Sequence, residues 1–325
     1  MSDKFDVAAL GELLIDFTDN GKSKQGNELF EANPGGAPCN VLAMLTRLGK
    51  KTAFIGKVGD DLFGRSLREV IRAAGIDSRG LILDPAAHTT ITFVQTAPDG
   101  DRDFVFYRNP GADCLLKETE LDPKLLRNIR VLHFGSLSLT HSSARDATRA
   151  AIRIAKAGGA AVSFDPNLRV PLWDSLETAK EQMLWGCRQC DILKVAREEL
   201  EFLTGFPDID AGQEALRTRF PNIQILFVTD GCRGSRAFYH GLSAFRPAFR
   251  QLHPIDTTGA GDTFCGCCLN YLLEHGRNQL TEQNLMEMLN FANAAAGLVT
   301  TKKGAIRSMP GISSIQKLLL EEPQG

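Results

Sequence analysis

Asp256-Thr257-Thr258-Gly259-Ala260-Gly261-Asp262 is the stretch around which the chain reads most coherently. Glycines 259 and 261 allow a tight bend and leave main-chain N–H groups uncovered. Residues 263–275 then carry Phe264, Cys267, Cys268, Tyr271 and Leu272 at helical spacing. Open amides at a helix start, with the helix dipole behind them, favour an anion. Asp262 follows at once, so a proton acceptor lies beside a seat for a phosphoryl group, the minimum machinery for moving phosphate onto a hydroxyl. A glycine turn before an aspartate is also the signature of an ordinary capped helix. It is no Walker loop, since no Gly-Lys-Ser/Thr follows, and the first strand lacks the Gly-x-Gly-x-x-Gly of a dinucleotide site.

The 325 residues are enough for a large core, and α/β folds of this length are often one unit. A net charge of −2 leaves no basic surface for nucleic acid or an anionic membrane and suits a small neutral or anionic metabolite. There is no run of 18 apolar residues, and Ser2-Asp3-Lys4 opens a charged start, so a cytoplasmic protein is expected. The eight cysteines include Cys187-x-x-Cys190 and the group Cys265, Cys267, Cys268. With the latter on one helix, free thiols in a reducing compartment are expected rather than a zinc site.

Along the chain, 7–10 is a short apolar strand, and 11–16 carries it on to Asp16. Residues 17–33 are polar with Asn20-Gly21 as a turn, which reads as a projecting hairpin. Gly35 to Asn40 opens a helix running to about Leu48, and 52–58 is a second strand. Alternation over 89–94 and 103–107 around Pro98-Asp99-Gly100 reads as a second hairpin, so insertions at about 17–33 and 88–110 form a small sheet beside a cleft, a natural lid. From 130 onward strand, loop and helix alternate, which predicts a mostly parallel sheet covered by helices on both faces. Ligands collect at the carboxyl ends of such strands, where Asp16, Asp165, Lys194, Thr229 and the 256–262 loop are read.

A sugar needs acids, amides and arginines converging at fixed geometry. Asp16, the open backbone at Gly35-Gly36 and Asn40 supply these, although singly Asp16 reads equally as a turn residue and Asn40 as a polar helix position. Arg169, in Asp165-Pro166-Asn167-x-Arg169, and Arg108, after the second hairpin, offer a fork for hydroxyl, carboxylate or phosphate, or else a surface ion pair.

Two segments more than half the chain apart carry a resemblance. Asp256-Thr257-Thr258-Gly259-Ala260-Gly261-Asp262 resembles the C-terminal signature of the ribokinase-like (PfkB) carbohydrate kinases, and Gly35-Gly36-Ala37-Pro38-Cys39-Asn40 their N-terminal one. Asp165-Pro166-Asn167-x-Arg169 with Trp173, Tyr107 to Asp113, and Phe134-Gly135-Ser136 resemble the fructokinase branch. The likeness spans Leu10 to Pro310 and implies a three-layer α/β/α fold with a central mostly parallel sheet and a small β-sheet lid. It implies that Asp16, Gly35, Gly36, Asn40, Phe106, Arg108 and Arg169 bind the sugar. Lys194, Glu199, Thr229, Gly231, Gly234 and Asn293 would meet ATP and its hydrated magnesium, Asn293 near the adenine. It implies a potassium site from Asp256 and Ser308 with carbonyls of Thr258, Val299, Lys302 and Gly304. The chain departs from the pattern at Ala196 and Arg307.

The resemblance implies an ATP-dependent sugar kinase making fructose 6-phosphate, with Asp262 as base and Gly259, Ala260, Gly261 and Asp262 as anion hole. The competing readings are a 2-keto-3-deoxygluconate kinase, which would use an arginine for the substrate carboxylate, and a catalytically silent regulator of sugar-kinase form. A nicotinamide-dependent dehydrogenase lacks its glycine-rich first loop. Unpaired edges of the small sheet invite a partner strand, so a homodimer through the lid is expected.

Overall fold

A computed structural model describes residues 4–96, 102–249 and 251–321. The expected turn at Pro98-Asp99-Gly100, the opening Ser2-Asp3 and the acidic tail after 321 lie outside the described residues. The strands are β1 (Phe5–Leu10), β2 (Leu14–Lys22), β3 (Glu28–Gly35), β4 (Thr52–Gly59), β5 (Asp77–Asp84), β6 (Ile91–Thr96), β7 (Arg102–Tyr107), β8 (Ile129–Gly135), β9 (Ala161–Asp165), β10 (Ile192–Ala196), β11 (Ile225–Thr229), β12 (Ser235–Tyr239) and β13 (Leu242–Arg246). The helices are α1 (Ala37–Arg47), α2 (Leu62–Ala73), α3 (Pro123–Arg127), α4 (Ser142–Ala157), α5 (Leu176–Gln189), α6 (Arg197–Thr204), α7 (Ile209–Arg219), α8 (Ala260–His275), α9 (Glu282–Val299) and α10 (Ile312–Glu321).

Nine strands form one sheet in the order β13-β12-β11-β10-β9-β8-β1-β4-β5, parallel from β5 to β11, with β12 and β13 antiparallel at one edge. The sequence explains why both faces are covered. In β1, Val7 and Ala9 pack on one core and Ala8 and Leu10 on the other; in β11, Ile225 and Phe227 part from Leu226 and Val228 in the same way. A strand apolar on both faces cannot leave either one wet. Helices α1, α2, α8, α9 and α10 cover the first face, and α3 to α7 the second. Phe134 and Phe164 stack at 4.6 Å in the second layer, and each large apolar side chain buried this way stabilises by about 1.5–3 kcal/mol.

Leaving β1, the chain passes to β4 on one side, while β8 lies on the other. The crossovers part there, which opens a crevice at the carboxyl edge. Over it sits a four-stranded sheet, β3-β2-β6-β7, in which β2 pairs parallel with β6 and both outer pairs are antiparallel.

Two boundaries differ from the sequence reading in ways that matter. Asp16 is not at the end of a main-sheet strand: β1 stops at Leu10, and Asp16 is the third residue of β2, paired with Asn33 and Thr92 in the small sheet. The run Leu10 to Ile15, apolar but for Glu12, hides a bend at Gly11, which packs so close to α1 that a Cβ would stand 2.6 Å from Pro38 Cγ. No strand leads into 256–262 either. The amides of Ile255 and Asp256 both donate to the carbonyl of Thr300, so the loop hangs from the end of α9 rather than from the sheet.

Candidate active site

The loop ends in the element the sequence predicts, but α8 begins three residues earlier, at Ala260. Side chains cap α2, α3, α5, α7 and α9, namely Asp61, Asp122, Ser175, Asp208 and Thr281; α1, α4 and α8 have no side-chain cap. Gly259 stands at its N-cap with φ +79°, a left-handed conformation that glycine adopts without strain. The amide of Ala260 turns back to the carbonyl of Thr257 at 3.3 Å, so this member of the expected anion hole is already committed and lies off the cleft wall. Gly261 and Asp262 lie on the cleft wall at this helix start.

Asp262 is buried in the first turn, and its Oδ2 accepts from the Asn40 amide at 2.8 Å. Burial first, then the charge of Asp165, raises its carboxyl from 3.8 to about 6, against the pull of Asn40, Lys194 and Arg169. Asn40 is on α1, whose N-terminus depends on Gly36: φ is +125°, and a Cβ there would lie 2.4 Å from the Glu12 carbonyl. Lys194, in β10, pairs with Asp165 at the end of β9, 3.0 Å apart and both buried. Burial alone would pull its pKa down, but Asp165 and Glu199 hold the ammonium above its ordinary value, charged. A Cβ on Gly261 would stand 3.1 Å from Lys194 Nζ, so that cation lies against the α8 loop.

These groups line one cleft of about 640 Å³ at the carboxyl edge. Asp16, Gly36, Asn40, Phe106, Arg169, Lys194, Gly259, Gly261 and Asp262 share its wall. Gly35 lies just behind, where a Cβ would meet Asp16 Oδ2 at 2.6 Å.

Several expected residues sit elsewhere. Arg108 is not on the wall: it is buried, its Nε donates to Asp113 at 2.7 Å, Nη1 to Thr140 and Nη2 to the Leu137 carbonyl. It fastens the end of β7 to the turn after β8. Glu199 accepts from Leu168 N and Ala196 N, each at 2.7 Å, which ties down the 165–169 loop. Asn293 donates to the carbonyls of Arg246 and Pro247 and accepts from Ser235, again a strut rather than an open amide. Thr229 and Gly231 lie at the end of β11, and Gly234 follows; none of them lines the cleft.

The oxygens proposed for potassium belong to loops that do meet. Asp256 accepts from Thr258 N and Gly304 N, and Ser308 donates to the Lys303 carbonyl at 2.6 Å. With the carbonyls of Val299 and Lys302 nearby in sequence, the donor set is oxygen carrying one negative charge, which fits a hard cation of low charge.

Sequence reasoning missed Glu12, Asn167 and Thr257, all on the wall. Glu12 is 3% exposed; Oε1 accepts from Ala37 N at 2.9 Å and Oε2 has no hydrogen-bond partner among the described residues. Burial raises this carboxyl to about 7. A lone acid inside the apolar run Leu10 to Ile15 was the available signal. All eight cysteines are free thiols, and seven are buried, Cys232 being the exposed one. No helix among the described residues is long and apolar enough to cross a membrane.

An uncapped helix start beside a buried carboxylate, at the switch point of a doubly wound sheet, is the arrangement of a small-molecule phosphotransferase. Comparison with known proteins narrows the class. The pfkB family carbohydrate kinase model matches residues 4–312. The chain is 43% identical over 310 residues to the probable fructokinase-2 of Arabidopsis thaliana, covering 94% of this chain and 92% of that protein. It superposes on the fructokinase of Xylella fastidiosa with bound ATP at a TM-score of 0.88 and 30% identity, covering 98% and 99% of the two chains. A double-mutant fructokinase of Vibrio cholerae in its fructose, ADP and potassium ion bound form gives 0.86 and 30%, covering 98% and 100%. The chain belongs to the pfkB family of carbohydrate kinases, and the fold and family read from the two signature segments are borne out.

Proposed function

We propose that this kinase transfers the γ-phosphoryl group of ATP to D-fructose, giving fructose 6-phosphate. The observation that carries the reading is Asp262, a buried carboxylate held by Asn40 on the cleft wall and set one residue beyond Gly261 at the open start of α8. Asp262 takes the proton of the attacking hydroxyl, and an acid raised to about 6 is ionised at neutral pH yet basic enough to accept it. The amides of Gly261 and Asp262, with Lys194 beside them, stabilise the charge of the moving group; positioning and electrostatics supply most of such catalysis. Asp16, Asn40 and Phe106 form the sugar end.

Magnesium travels with the nucleotide and neutralises its phosphates. A potassium ion held by Asp256, Ser308 and the neighbouring carbonyls would stiffen the loop that presents Gly259 to Gly261. ATP lies toward β11, where Thr229 and Gly231 let the nucleotide approach the backbone, while Gly234 packs against Arg246 and Pro247 and Asn293 braces the strand beyond. The small sheet acts as a lid that excludes water. Its outward cluster of Phe30, Phe93 and Tyr107, with β3 and β7 as open edges, is where two copies pair.

Arg169 on the wall favours a second reading, a kinase of 2-keto-3-deoxygluconate, whose carboxylate an arginine would hold. Against it, Arg108 is committed to Asp113, and Asp16 puts a carboxylate at the sugar end, which suits a neutral polyol. ADP release with the two substrates at equal concentration tests the choice: fructose should lead by at least tenfold, and a lead for the acid would reverse it.

A further inference from the structure

At the edge of the large sheet away from the cleft, where β1, β8 and β10 begin, a second cavity of about 250 Å³ opens between the sheet and the last turns of α8. Ile129, Val131, Ile192, Leu269 and Leu272 give it a buried apolar floor. Gly159 and Gly276, both exposed, stand at its rim, and a Cβ added to either would meet nothing within 4 Å, so no side chain closes the mouth. A concave apolar surface with a few polar groups at one side is the form that small-molecule sites take.

The charge of the cavity is one-sided. Lys4, Arg130 and Arg277 line it, and among the described residues no acid does. Arg130 is committed: its Nη1 donates to Asp6 at 3.0 Å and its Nη2 to the Leu273 carbonyl at 2.9 Å, which braces β8 against the end of α8. Arg277 is held differently, for its Nη1 is buried and has no hydrogen-bond partner among the described residues. A guanidinium cannot shed its charge, and a charged donor kept from water without an acceptor is costly. An acceptor carrying negative charge completes this wall. The carbonyl end of α8 lies here too, and its partial negative charge opposes a dianion more than a monoanion. The floor, being aliphatic, suits a short hydrocarbon chain behind the charged head.

We propose that this cavity binds a small aliphatic monocarboxylate, its head on Arg277 and its chain on the floor between β8 and α8. The site stands apart from the sugar-kinase reading, since it shares no lining residue with the cleft.

The test is calorimetric titration of full-length protein with isocaproate, with its neutral counterpart isohexanol and with inorganic phosphate. Isocaproate should bind with a Kd below about 1 mM, and the alcohol and phosphate at least about tenfold more weakly. Arg277→Gln removes a donor that has no partner, so Tm should hold while isocaproate affinity falls at least about tenfold. Arg277→Lys keeps the charge without the fork and should fall between the two. If Arg277→Gln loses Tm, Arg277→Lys carries the comparison. Arg169→Gln, on the cleft wall, should bind isocaproate as wild type does. No binding of isocaproate at about 10 mM overturns the proposal, as does equal affinity for the alcohol or for phosphate, which would leave an apolar hollow or an unselective anion seat. Affinity lost in Arg169→Gln and kept in the Arg277 variants would put the carboxylate in the cleft and overturn it as well.

Discussion

The amide of Asn40 donates to Oδ2 of Asp262 at 2.8 Å, joining the first turn of α1 to the first turn of α8 across 222 positions of sequence. The bond ties the two signature segments into one object. It steers the carboxylate and favours its charged form, the form that the proposed base requires.

Asn40→Ala removes that donor. The acid limb of the kcat/KM profile, set by Asp262 at about 6 in the free enzyme, should move to higher pH, and kcat should fall by roughly 10-fold or more, as for a misplaced base. Initial rates from pH 5 to 8 read both effects; an unmoved limb would detach Asn40 from the base.

Lys194→Met leaves Asp165 as a buried charge without its partner, which costs about 3–5 kcal/mol of stability. Activity should be lost as well, since the same ammonium lies beside the α8 loop. Urea unfolding of Lys194→Met against Lys194→Met with Asp165→Asn separates the two effects: the second change should recover stability but not turnover.

Glu12 makes stability depend on pH. Its folded pKa of about 7 stands above the ordinary 4.5, so the folded protein keeps a proton that the unfolded chain releases. Stability from this group is full below about 4.5 and declines as pH rises toward 7. Glu12→Gln keeps an acceptor for Ala37 N and cannot ionise, so it should match wild type near pH 4.5 and exceed it at pH 8 by on the order of 3 kcal/mol. Denaturation midpoints at the two pH values check it, and a uniform loss at both would contradict the role given to burial.

The parallel sheet was legible because β8 to β11 are apolar on both faces and alternate with helices, a pattern few folds share. The 256–262 and 35–40 segments were legible together, as two signatures of one family more than half the chain apart, whereas the glycine turn before Asp262 alone reads equally as an ordinary helix cap. What stayed hidden was partnership over distance. Arg108 read as a fork for a ligand or as a surface ion pair, yet Asp113 and Thr140 take its guanidinium in the interior. Glu199 and Asn293 were assigned to the nucleotide by the resemblance alone, and each binds backbone that no local pattern brings near. Glu12 and Asp16 share a run that alternation reads as one strand, and only packing against Pro38 shows where it breaks.

The most direct measurement is product analysis with wild-type and Asp262→Asn protein, each given ATP, magnesium and D-fructose, with ADP counted and the phosphorylated carbon located by NMR. The wild type should form one fructose 6-phosphate per ADP, and the folded Asp262→Asn variant should lose turnover by about 10²–10⁴-fold. ADP released without any sugar phosphate, or a variant within tenfold of wild type, would contradict the account.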